Sequence, residues 1–240
     1  TSEKIDAGAL TAQRLKRIPS IIKKLKREYY GKKASMKLSQ MQDIGGCRAV
    51  LKTNELAIQL VNKYYLKGDL KHKLVRKRDY VAEPKADGYR SIHLVYSYLS
   101  DKKKIDYNGL LVEVQIRSKL QHLWATAIET VDFFTRQAIK SNQGQKEWLD
   151  FFKLVSSAFA IIEERPLVPN TPINKDELFL EIKKIEEELK VIKNLESWTQ
   201  AIKVIKSTEI KRNKKAEFFL LELDISNERL IISSYSKNQE

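Results

Sequence analysis

The sequence predicts an α/β (α+β) fold in which helices flank a mixed β-sheet, followed by a C-terminal helical region that ends in a β-hairpin. The first observation is that runs with a helical repeat of apolar residues alternate with short strand-like runs through the first 140 residues. The second is their order (helix, strand, helix, three strands, helix), which is typical of a sheet covered by helices. The third is a proline-rich segment at residues 165–172 that interrupts the pattern.

The predicted elements of the first part follow one another closely. A helix is expected over residues 9–29, because Ile18, Ile21, Ile22 and Leu25 recur at spacings that place them on one helical face. Runs rich in β-branched and aromatic residues between turn residues predict strands. The remaining elements are a strand over 41–52, a helix over 54–65, strands over 74–80, 91–99 and 110–117, and a helix over 119–139.

The second part begins at the prolines. Because the three prolines within residues 165–172 cannot lie in a helix interior, we predict a first domain of residues 1–164 and a second of residues 165–240. The second domain is predicted to contain one or two helices over 174–206 and a hairpin over 217–235. An isolated hairpin is only marginally stable in water, so this one must pack on other elements. The role of the region is left open.

The chain of 240 residues carries a net charge of +14, and the excess is concentrated in two places. Residues 1–40 hold eleven Lys and Arg against three Asp and Glu, and residues 67–79 hold six against two. Such basic surfaces indicate a polyanionic partner, a nucleotide or a nucleic acid. The one cysteine, Cys47, excludes an internal disulfide and is expected to be a small core residue. Because no apolar run is long enough to cross a membrane, no membrane partner is expected and the cytoplasm is the expected compartment.

Basic residues near the N-terminus could bind a phosphate chain. Arg14, Lys16, Ser20 and Lys24 lie close together in sequence, and several cations on one side of a helix could hold a triphosphate. The alternative is a solvated helix face, which is what a run of charges usually forms. The residues alone leave both readings open.

Two acidic positions could hold a metal ion. Asp43 begins a predicted strand beside two glycines and could be a Mg²⁺ ligand, and Arg48 could face a phosphate. The alternative is a capping Asp and a surface Arg. In a later strand, alternation places Glu113, Gln115 and Arg117 on one face, where Glu113 could supply the second metal carboxylate or a general base. The alternative there is the solvated side of a sheet.

One loop combines aromatic and cationic side chains. Gly88 permits a close approach of the backbone, and Tyr89 could stack on a flat base. Lys85 and Arg90 could bind phosphate, and His93 could form a hydrogen bond. The alternative is a hairpin loop with a surface tyrosine. The occurrence of all these motifs in one chain favours a nucleotide-handling site.

Together and in this order, the motifs resemble those of the RelA/SpoT synthetase family, the ATP:nucleotide 3′-pyrophosphokinases that make alarmones. The resemblance implies a nucleotidyltransferase-like synthetase fold, and His122 with Trp124-Ala125 extends it into the following helix. The matching segments are R-x-K-x-x-x-S-I-x-x-K from Arg14 to Lys24, D-I-x-G-x-R from Asp43 to Arg48, a basic strand ending in Asp79-Tyr80, P-K-x-x-G-Y-R-S-I-H from Pro84 to His93, and E-V-Q-I-R from Glu113 to Arg117.

The resemblance also implies roles for the matched residues. The implied reaction is attack of the ribose 3′-hydroxyl of GDP or GTP on the β-phosphorus of ATP, with release of AMP and with Mg²⁺ as cofactor. Asp43 and Glu113 would be the catalytic residues and the Mg²⁺ ligands. The ATP phosphates would be held by Arg14, Lys16, Ser20, Lys24 and Arg48. The acceptor would be bound by Arg76, Lys85, Tyr89, His93, Gln115 and Arg117, with Tyr89 stacked on its base.

The acceptor itself is left open. Asp87 stands where the family usually has Asn, and Glu129 stands where small alarmone synthetases usually carry His. Toxic small synthetases of the family transfer pyrophosphate to the 3′ end of tRNA and block translation, and the basic segments of this chain could track an RNA backbone. A catalytically inactive nucleotide- or RNA-binding module is disfavoured, because the metal and loop residues are all present. The expected partners are therefore ATP with a guanine nucleotide, or tRNA; a homo-oligomer and an antitoxin partner stay open.

Overall fold

A mixed sheet of five strands forms the centre of the first part of the chain. The computed structural model describes residues 1–16, 18–26, 28–29, 32–33, 37–101, 104–136, 139, 144–207, 218–224 and 229–235. Two short strands, β2 (Glu28–Tyr29) and β3 (Lys32–Lys33), pair only with each other in the described chain. The five sheet strands are β1 (Leu10–Leu15), β4 (Gly45–Leu51), β5 (Lys73–Asp79), β6 (Ile92–Ser97) and β7 (Leu111–Ser118).

The strand order is β1-β4-β7-β6-β5, which places β7 at the centre. Strands β4 and β7 are parallel, and each of the other neighbouring pairs is antiparallel. Because β4 and β7 are parallel, the chain must cross over between them. The connection contains one helix and the strands β5 and β6. The predicted α/β fold with a mixed sheet is therefore confirmed.

Some of the helices begin at residues whose side chains cap the first turn. Thr53 accepts a hydrogen bond from the Leu56 backbone N–H at the first turn of one helix, and Ser118 with Gln121 forms a capping box at another. The helices are α1 (Ile18–Leu25), α2 (Asn54–Leu60, continued by a π-helical turn over Val61–Leu66), α3 (Lys119–Thr135), α4 (Lys146–Ile162), α5 (Lys175–Leu189) and α6 (Val191–Ser207). Three short 3₁₀ turns cover Ser2–Lys4, Leu38–Gln40 and Ile105–Tyr107.

One face of the sheet packs under α2 and forms the core. The alternation of side chains along β4, β6 and β7 sends every second residue into this cluster. Its buried members are Ala49, Leu51, Ala57, Leu60, Val61, Val81, Ile92, Leu94, Tyr96, Val114 and Ile116. The prediction that Cys47 is a core residue is wrong, because the side chain is exposed although it lies two residues before Ala49 on the same strand. The opposite face of the sheet carries mostly polar side chains, together with the buried Val50 and Val95.

The helix predicted over residues 9–29 is also wrong in its first half. Residues Leu10–Leu15 form β1, which pairs with β4, and the helix begins only at Ile18. The apolar spacing that predicts the helix starts at Ile18 as well, so the pattern holds no information about the preceding residues. Strand pairing with β4 determines the conformation there. The other strands and helices predicted for residues 41–135 are confirmed within a few residues, and α3 ends where Arg136 adopts a left-handed φ of 55°.

Helix α4 is not among the predicted elements. Its aromatic side chains, including Trp148, Phe151 and Phe152, are buried. Leu154 and Ala158 pack against Leu178 of α5, which follows the proline-rich segment. The helices predicted over 174–206 are confirmed as α5 and α6.

The chain divides into two compact units, residues 1–195 and 196–240. The domain boundary predicted at the prolines stays a prediction. The second unit contains the predicted hairpin, in which β8 (Phe218–Asp224) pairs antiparallel with β9 (Arg229–Tyr235). Its turn residues, Ser226 and Asn227, lie outside the described residues. None of the helices in the described ranges has the length and apolar content required to span a bilayer.

Candidate functional site

The polar face of the sheet carries the site. Strand β7 places Glu113, Gln115 and Arg117 on this face, as the two-residue repeat predicts, while Val114 and Ile116 belong to the core. The register aligns Gly46 of β4 with Glu113. It also sets Gln115 between Arg48 of β4 and His93 of β6. Residues far apart in sequence are therefore brought into adjacent rows.

A cavity of about 470 Å³ opens on this face. Most of the predicted site residues line it: Arg14, Lys16, Asp43, Arg48, Lys85, Tyr89, His93, Glu113, Gln115 and Arg117. Lys24 and Arg76 line an adjoining cavity of about 330 Å³, and His93 and Glu113 border both. Ser20 is exposed and is not among the described residues that line either cavity. Of the predicted residues, Ser20 and the loop residue Arg90 are the ones that do not line either cavity among the described residues.

The predicted basic cluster is built from two elements and not from one helix. Arg14 lies on β1, Lys16 follows it, and Lys24 lies on α1. The Lys16 backbone N–H donates to the Ile44 carbonyl oxygen at 2.8 Å, which fixes the chain beside the start of β4. The cations therefore reach the cavity from its edge strand and from the first helix.

Asp43 lies between two of these cations. Lys16 Nζ donates to one carboxylate oxygen at 2.6 Å, and Lys24 Nζ donates to the other at 2.9 Å. Burial would raise the pKa of the Asp43 carboxyl, but the hydrogen bonds and charges of the two lysines outweigh burial and lower it. The side chain is therefore ionised at neutral pH.

Glu113 is held by its neighbours on the sheet. His93 Nδ1 lies 2.9 Å from Glu113 Oε1, and Gln115 Nε2 donates to Glu113 Oε2 at 2.7 Å. Burial would raise the pKa of Glu113, but the hydrogen bond and charge of His93 and the Gln115 contact lower it overall. Like Asp43, Glu113 is therefore a carboxylate at neutral pH.

A chain of hydrogen bonds connects Glu113 to the aromatic ring in the cavity. Because a carboxylate only accepts, His93 Nδ1 must carry the proton it shares with Glu113. The Tyr89 hydroxyl lies 2.7 Å from His93 Nε2; it donates to a neutral imidazole and accepts from a protonated one. Arg117 Nη2 donates to that hydroxyl at 2.5 Å. The tyrosine is thus coupled through one histidine to an acidic side chain.

Two arginines on the polar face have side-chain donors that no described residue accepts from. Arg48 and Arg117 both donate to Gln115 Oε1 at 3.3 Å, but their buried Nε atoms have no hydrogen-bond partner among the described residues. Burial lowers the pKa of Arg48 and the neighbouring Arg117 lowers it further, while Glu129, which also lines the cavity, opposes this shift. Two like charges with buried, unused donors are unfavourable unless an anion joins them. This part of the cavity is therefore suited to a phosphate or another anion.

The two carboxylates fit a divalent cation that also binds substrate phosphates. The described residues contain no group of three or more His, Cys, Asp or Glu side chains that could form a complete protein cage for a metal ion. Mg²⁺ does not need one, because it is usually held by one or two carboxylates together with phosphates and water. Asp43 and Glu113 line the same cavity and are ionised, so the residues present suit that arrangement.

The loop with the predicted base-stacking residue has a larger aromatic cluster than the sequence indicates. The Tyr80 ring meets Tyr89 and His93 edge-on, with centroid separations of 5.9 Å and 5.3 Å. Lys85 Nζ lies over both tyrosine rings, 4.7 Å and 5.2 Å from their centroids. Trp124 lies 6.4 Å from Tyr89. In the sequence Tyr80 only marks the end of a basic strand, whereas in the fold its ring belongs to the wall around Tyr89.

Arg90 does not bind phosphate as the sequence suggests. Its side chain is 3% exposed and donates to Ser156 Oγ at 3.0 Å and to the Pro166 carbonyl oxygen at 2.7 Å. Burial lowers the pKa of Arg90 to about 10. It therefore fastens the loop to α4 and to the segment that follows it.

Helix α4 supplies the far wall of the cavity, which the sequence motifs do not reveal. Its Leu149 and Phe152 line the cavity together with the charged Lys146, Asp150 and Lys153. Trp124 Nε1 donates to the Phe152 carbonyl oxygen at 2.7 Å and joins α3 to this helix. A signal for the helix is present in the sequence as apolar residues at helical spacing between 148 and 159.

Gly46 allows β4 to approach β7 closely at Glu113. A methyl group at Gly46 would lie 2.4 Å from the Glu113 carbonyl oxygen, whereas one at Gly45 would meet no atom within 4 Å. We expect Gly46→Ala to push the strands apart, lower the free energy of unfolding by about 1–3 kcal/mol and impair the site. Gly45→Ala is the matched control and should do neither. Urea denaturation of both variants checks this, and equal loss of stability would contradict the close-approach explanation.

Comparison with known proteins gives these features a family context. A family model described as "Region found in RelA / SpoT proteins" matches residues 13–133. The chain is 35% identical over 124 residues to GTP pyrophosphokinase YjbM of Bacillus subtilis (strain 168), which covers 50% of this chain and 54% of that protein. It is 29% identical over 117 residues to GTP pyrophosphokinase YwaC of the same organism, covering 48% and 54%. The chain thus spans about half the length of the curated relatives it matches.

Solved structures give the same relationship. The crystal structure of small alarmone synthetase 1 from Bacillus subtilis bound to its product pppGpp is similar with a TM-score of 0.51 and 28% identity, over 65% of this chain and 74% of that chain. Small alarmone synthetase 2 from Bacillus subtilis is similar with a TM-score of 0.52 and 25% identity, over 65% and 76%. The matched family region contains every residue of the β7 strand and ends within α3.

Proposed function

The chain belongs to the RelA/SpoT family, and from this premise we propose that it is a pyrophosphokinase that transfers the β,γ-pyrophosphate of ATP to the ribose 3′-hydroxyl of GDP or GTP. The observation that carries the proposal is the placement of two ionised carboxylates, Asp43 and Glu113, in one cavity with a set of cations and an aromatic ring. The motif-based assignment to the family is confirmed by the match to residues 13–133.

In the proposed reaction the acceptor 3′-oxygen bonds to the β-phosphorus of ATP. The bond between that phosphorus and the oxygen bridging to the α-phosphate breaks, AMP leaves, and the hydroxyl proton is released. Such transfer depends on positioning and charge neutralisation more than on covalent catalysis. Mg²⁺, held by Asp43 and Glu113, would supply positive charge to the phosphate oxygens.

The donor end of the cavity suits a triphosphate. Lys16 and Lys24 already contact the Asp43 carboxylate, so their ammonium groups lie beside the place where a metal-bound phosphate chain would lie. Arg14 and Arg48 line the same cavity, and the buried Nε donor of Arg48 is available. These four cations support the assignment of this end to ATP.

The acceptor end suits a nucleoside. Tyr89 offers an aromatic face, and Lys85 lies over its ring. Through His93 the same residue is connected to Glu113, which would lie near the attacking hydroxyl. Because its pKa is lowered, Glu113 is a weak base, and its contribution is to orient the hydroxyl and hold positive charge near it.

The direct test is transfer of label. The purified protein is incubated with Mg²⁺ and γ-³²P-ATP, and separately with GDP, GTP, ADP, ATP or total tRNA. We expect label in GDP or GTP, with one AMP released for each transfer. Label in none of the acceptors, with the protein folded, would contradict the proposal.

The tRNA acceptor is the second candidate, and an exposed basic strand favours it. Lys73, Arg76, Lys77 and Arg78 lie on β5, an edge strand of the sheet, and all are exposed. Such a strand could follow a polynucleotide backbone leading to the cavity. Label in tRNA and not in the free nucleotides would select this candidate.

A charge variant separates the two acceptors further. Lys32, Lys33 and Lys37 follow the motif that ends at Lys24 in the sequence, and Lys37 is exposed and is not among the described residues lining either cavity. With a free guanine nucleotide as acceptor, replacing all three with Ser should change turnover less than about twofold, because solvated charges away from a site act weakly. Turnover is measured at several salt concentrations. A large, salt-dependent loss of activity on tRNA would instead support the tRNA acceptor, since each lost phosphate contact lowers the salt slope by about one.

A further inference from the structure

The loop that presents Tyr89 has a conformation that depends on Gly88. Gly88 adopts a φ of +88°, a region that residues with side chains rarely occupy. Its N–H donates to the Lys85 carbonyl oxygen at 2.9 Å, and the Tyr89 N–H donates to Asp87 Oδ1 at 2.9 Å. These contacts shape the turn, but they lie within it and do not fix its position relative to the sheet.

The Tyr89 hydroxyl is hydrogen-bonded to His93 and Arg117 of the sheet, and the backbone of the turn is attached separately to α4. Ser156 Oγ donates to the Gly88 carbonyl oxygen at 2.6 Å and accepts from Arg90 Nε at 3.0 Å. Ser156 is 2% exposed, so its hydroxyl is shielded from bulk solvent. The Ser156 hydroxyl is therefore hydrogen-bonded to both chain neighbours of Tyr89, Gly88 before it and Arg90 after it.

The packing around Gly88 makes this contact close. A methyl group at Gly88 would lie 3.0 Å from Ser156 Cβ, 3.1 Å from the Trp124 ring and 3.3 Å from Lys153 Cα. The turn therefore rests directly on α4, with Trp124 of α3 beside it. The matched family region ends at residue 133, so α4 lies beyond it.

We propose that Ser156 is a positioning residue for the acceptor, and that α4 sets acceptor affinity by holding the Gly88 turn so that the Tyr89 ring faces the cavity. The inference rests on the proposed function, because it assigns the Tyr89 ring to the acceptor base. Ser156 itself does not line the cavity among the described residues, so its effect acts through the turn.

The neighbouring serine provides a matched control. Ser157 is also buried, at 0% exposure, but its Oγ accepts from the Val168 N–H at 2.9 Å and lies 2.8 Å from Thr171 Oγ1. It therefore holds the proline-rich segment, whereas Ser156 holds the turn. Ser156→Ala and Ser157→Ala remove the same atoms from adjacent positions of one helix.

The first experiment measures binding of GDP and of a non-hydrolysable ATP analogue by calorimetry. We expect Ser156→Ala to weaken GDP binding about three- to tenfold, as the loss of one or two buried hydrogen bonds would, and to leave binding of the analogue unchanged. Ser157→Ala should lower the melting temperature without changing either affinity. Unchanged GDP binding in Ser156→Ala, or equal weakening of both ligands, would overturn the proposal.

The second experiment does not need a ligand. Hydrogen exchange is measured on a peptide covering residues 83–91 in the wild-type protein and in both variants. We expect faster exchange in Ser156→Ala alone, because the turn has lost its attachment to α4. If Ser156→Ala exchanged at the wild-type rate, the proposed attachment of the Gly88 turn to α4 would be contradicted, whichever ligand the protein binds. If the wild-type protein binds neither nucleotide, the proposed function fails, and this exchange result alone decides the attachment.

Discussion

Asp43→Asn should reduce pyrophosphate transfer by about a hundredfold or more while the protein stays folded, as expected when a preorganised charge is removed from a phosphoryl-transfer site. The substitution keeps the size of the side chain and one oxygen that can accept from Lys16 or Lys24. It removes the negative charge that would hold Mg²⁺. Transfer is measured with saturating ATP and GDP, and circular dichroism with thermal melting checks the fold.

The control is another lysine-paired aspartate. Asp101 accepts a hydrogen bond from Lys71 Nζ at 2.8 Å, but it is exposed and is not among the described residues that line either cavity. Asp101→Asn should therefore leave turnover close to the wild-type value. Equal losses in the two variants would show that Asp43 acts through general electrostatics and not as a ligand.

Glu113→Gln tests the second carboxylate in the same assay. The amide oxygen can still accept from His93 Nδ1, so the connection to Tyr89 is retained while the charge is lost. We expect a loss of turnover comparable to that of Asp43→Asn. Full activity in either purified variant would contradict the two-carboxylate metal site.

Tyr89→Ala should raise the KM for the acceptor about ten- to a hundredfold and leave the KM for ATP nearly unchanged. Stacking of a base on an aromatic ring is worth about 1–3 kcal/mol, and the substitution removes it. The ring also borders Trp124 and Arg117, so its loss leaves an open space in the cavity wall. Steady-state kinetics with each substrate varied in turn separates the two effects.

Tyr89→Phe separates the ring from the hydroxyl. It keeps the stacking surface but removes the hydrogen bonds with His93 and Arg117. We expect a smaller change in acceptor KM than in Tyr89→Ala, together with a decrease in kcat because His93 is less well oriented toward Glu113. If either variant weakened ATP binding and left acceptor binding unchanged, the loop would be assigned to the wrong substrate.

The candidate site can be predicted from sequence where its geometry follows from a simple repeat. The two-residue alternation of β7 fixes the common face of Glu113, Gln115 and Arg117 without any knowledge of the neighbouring strands. Asp43 is predictable on different grounds, because a carboxylate beside two glycines at a strand start is a candidate Mg²⁺ ligand. Their common cavity follows from the register of β4 with β7, which the sequence pattern does not contain.

The predictions fail where tertiary contacts determine the outcome. Residues 10–15 have no strong local preference and become a strand by pairing with β4. Arg90 is a cation in a basic loop and therefore resembles a phosphate ligand in the sequence. In the fold it is buried against α4, where it donates hydrogen bonds to Ser156 Oγ and to the Pro166 carbonyl oxygen. The apolar spacing between residues 148 and 159 indicates a helix, but the position of α4 beside the cavity depends on tertiary contacts that the motifs do not contain.

The central strand β7 also fixes a distance within the site. Successive residues on one face of a strand are separated by about 6.6 Å, so Glu113 and Arg117 are about 13 Å apart along a backbone held on both sides by other strands. The side chains span this separation through Tyr89 and His93. If the acceptor base stacks on Tyr89 and its hydroxyl lies at Glu113, the distance between base and hydroxyl is set by these paired strands and by the Tyr89–His93–Glu113 hydrogen bonds. A side chain can rotate to accept a different functional group, but a paired strand cannot stretch. Acceptors in which the base and the hydroxyl are separated by another distance should therefore be rejected whatever their chemistry.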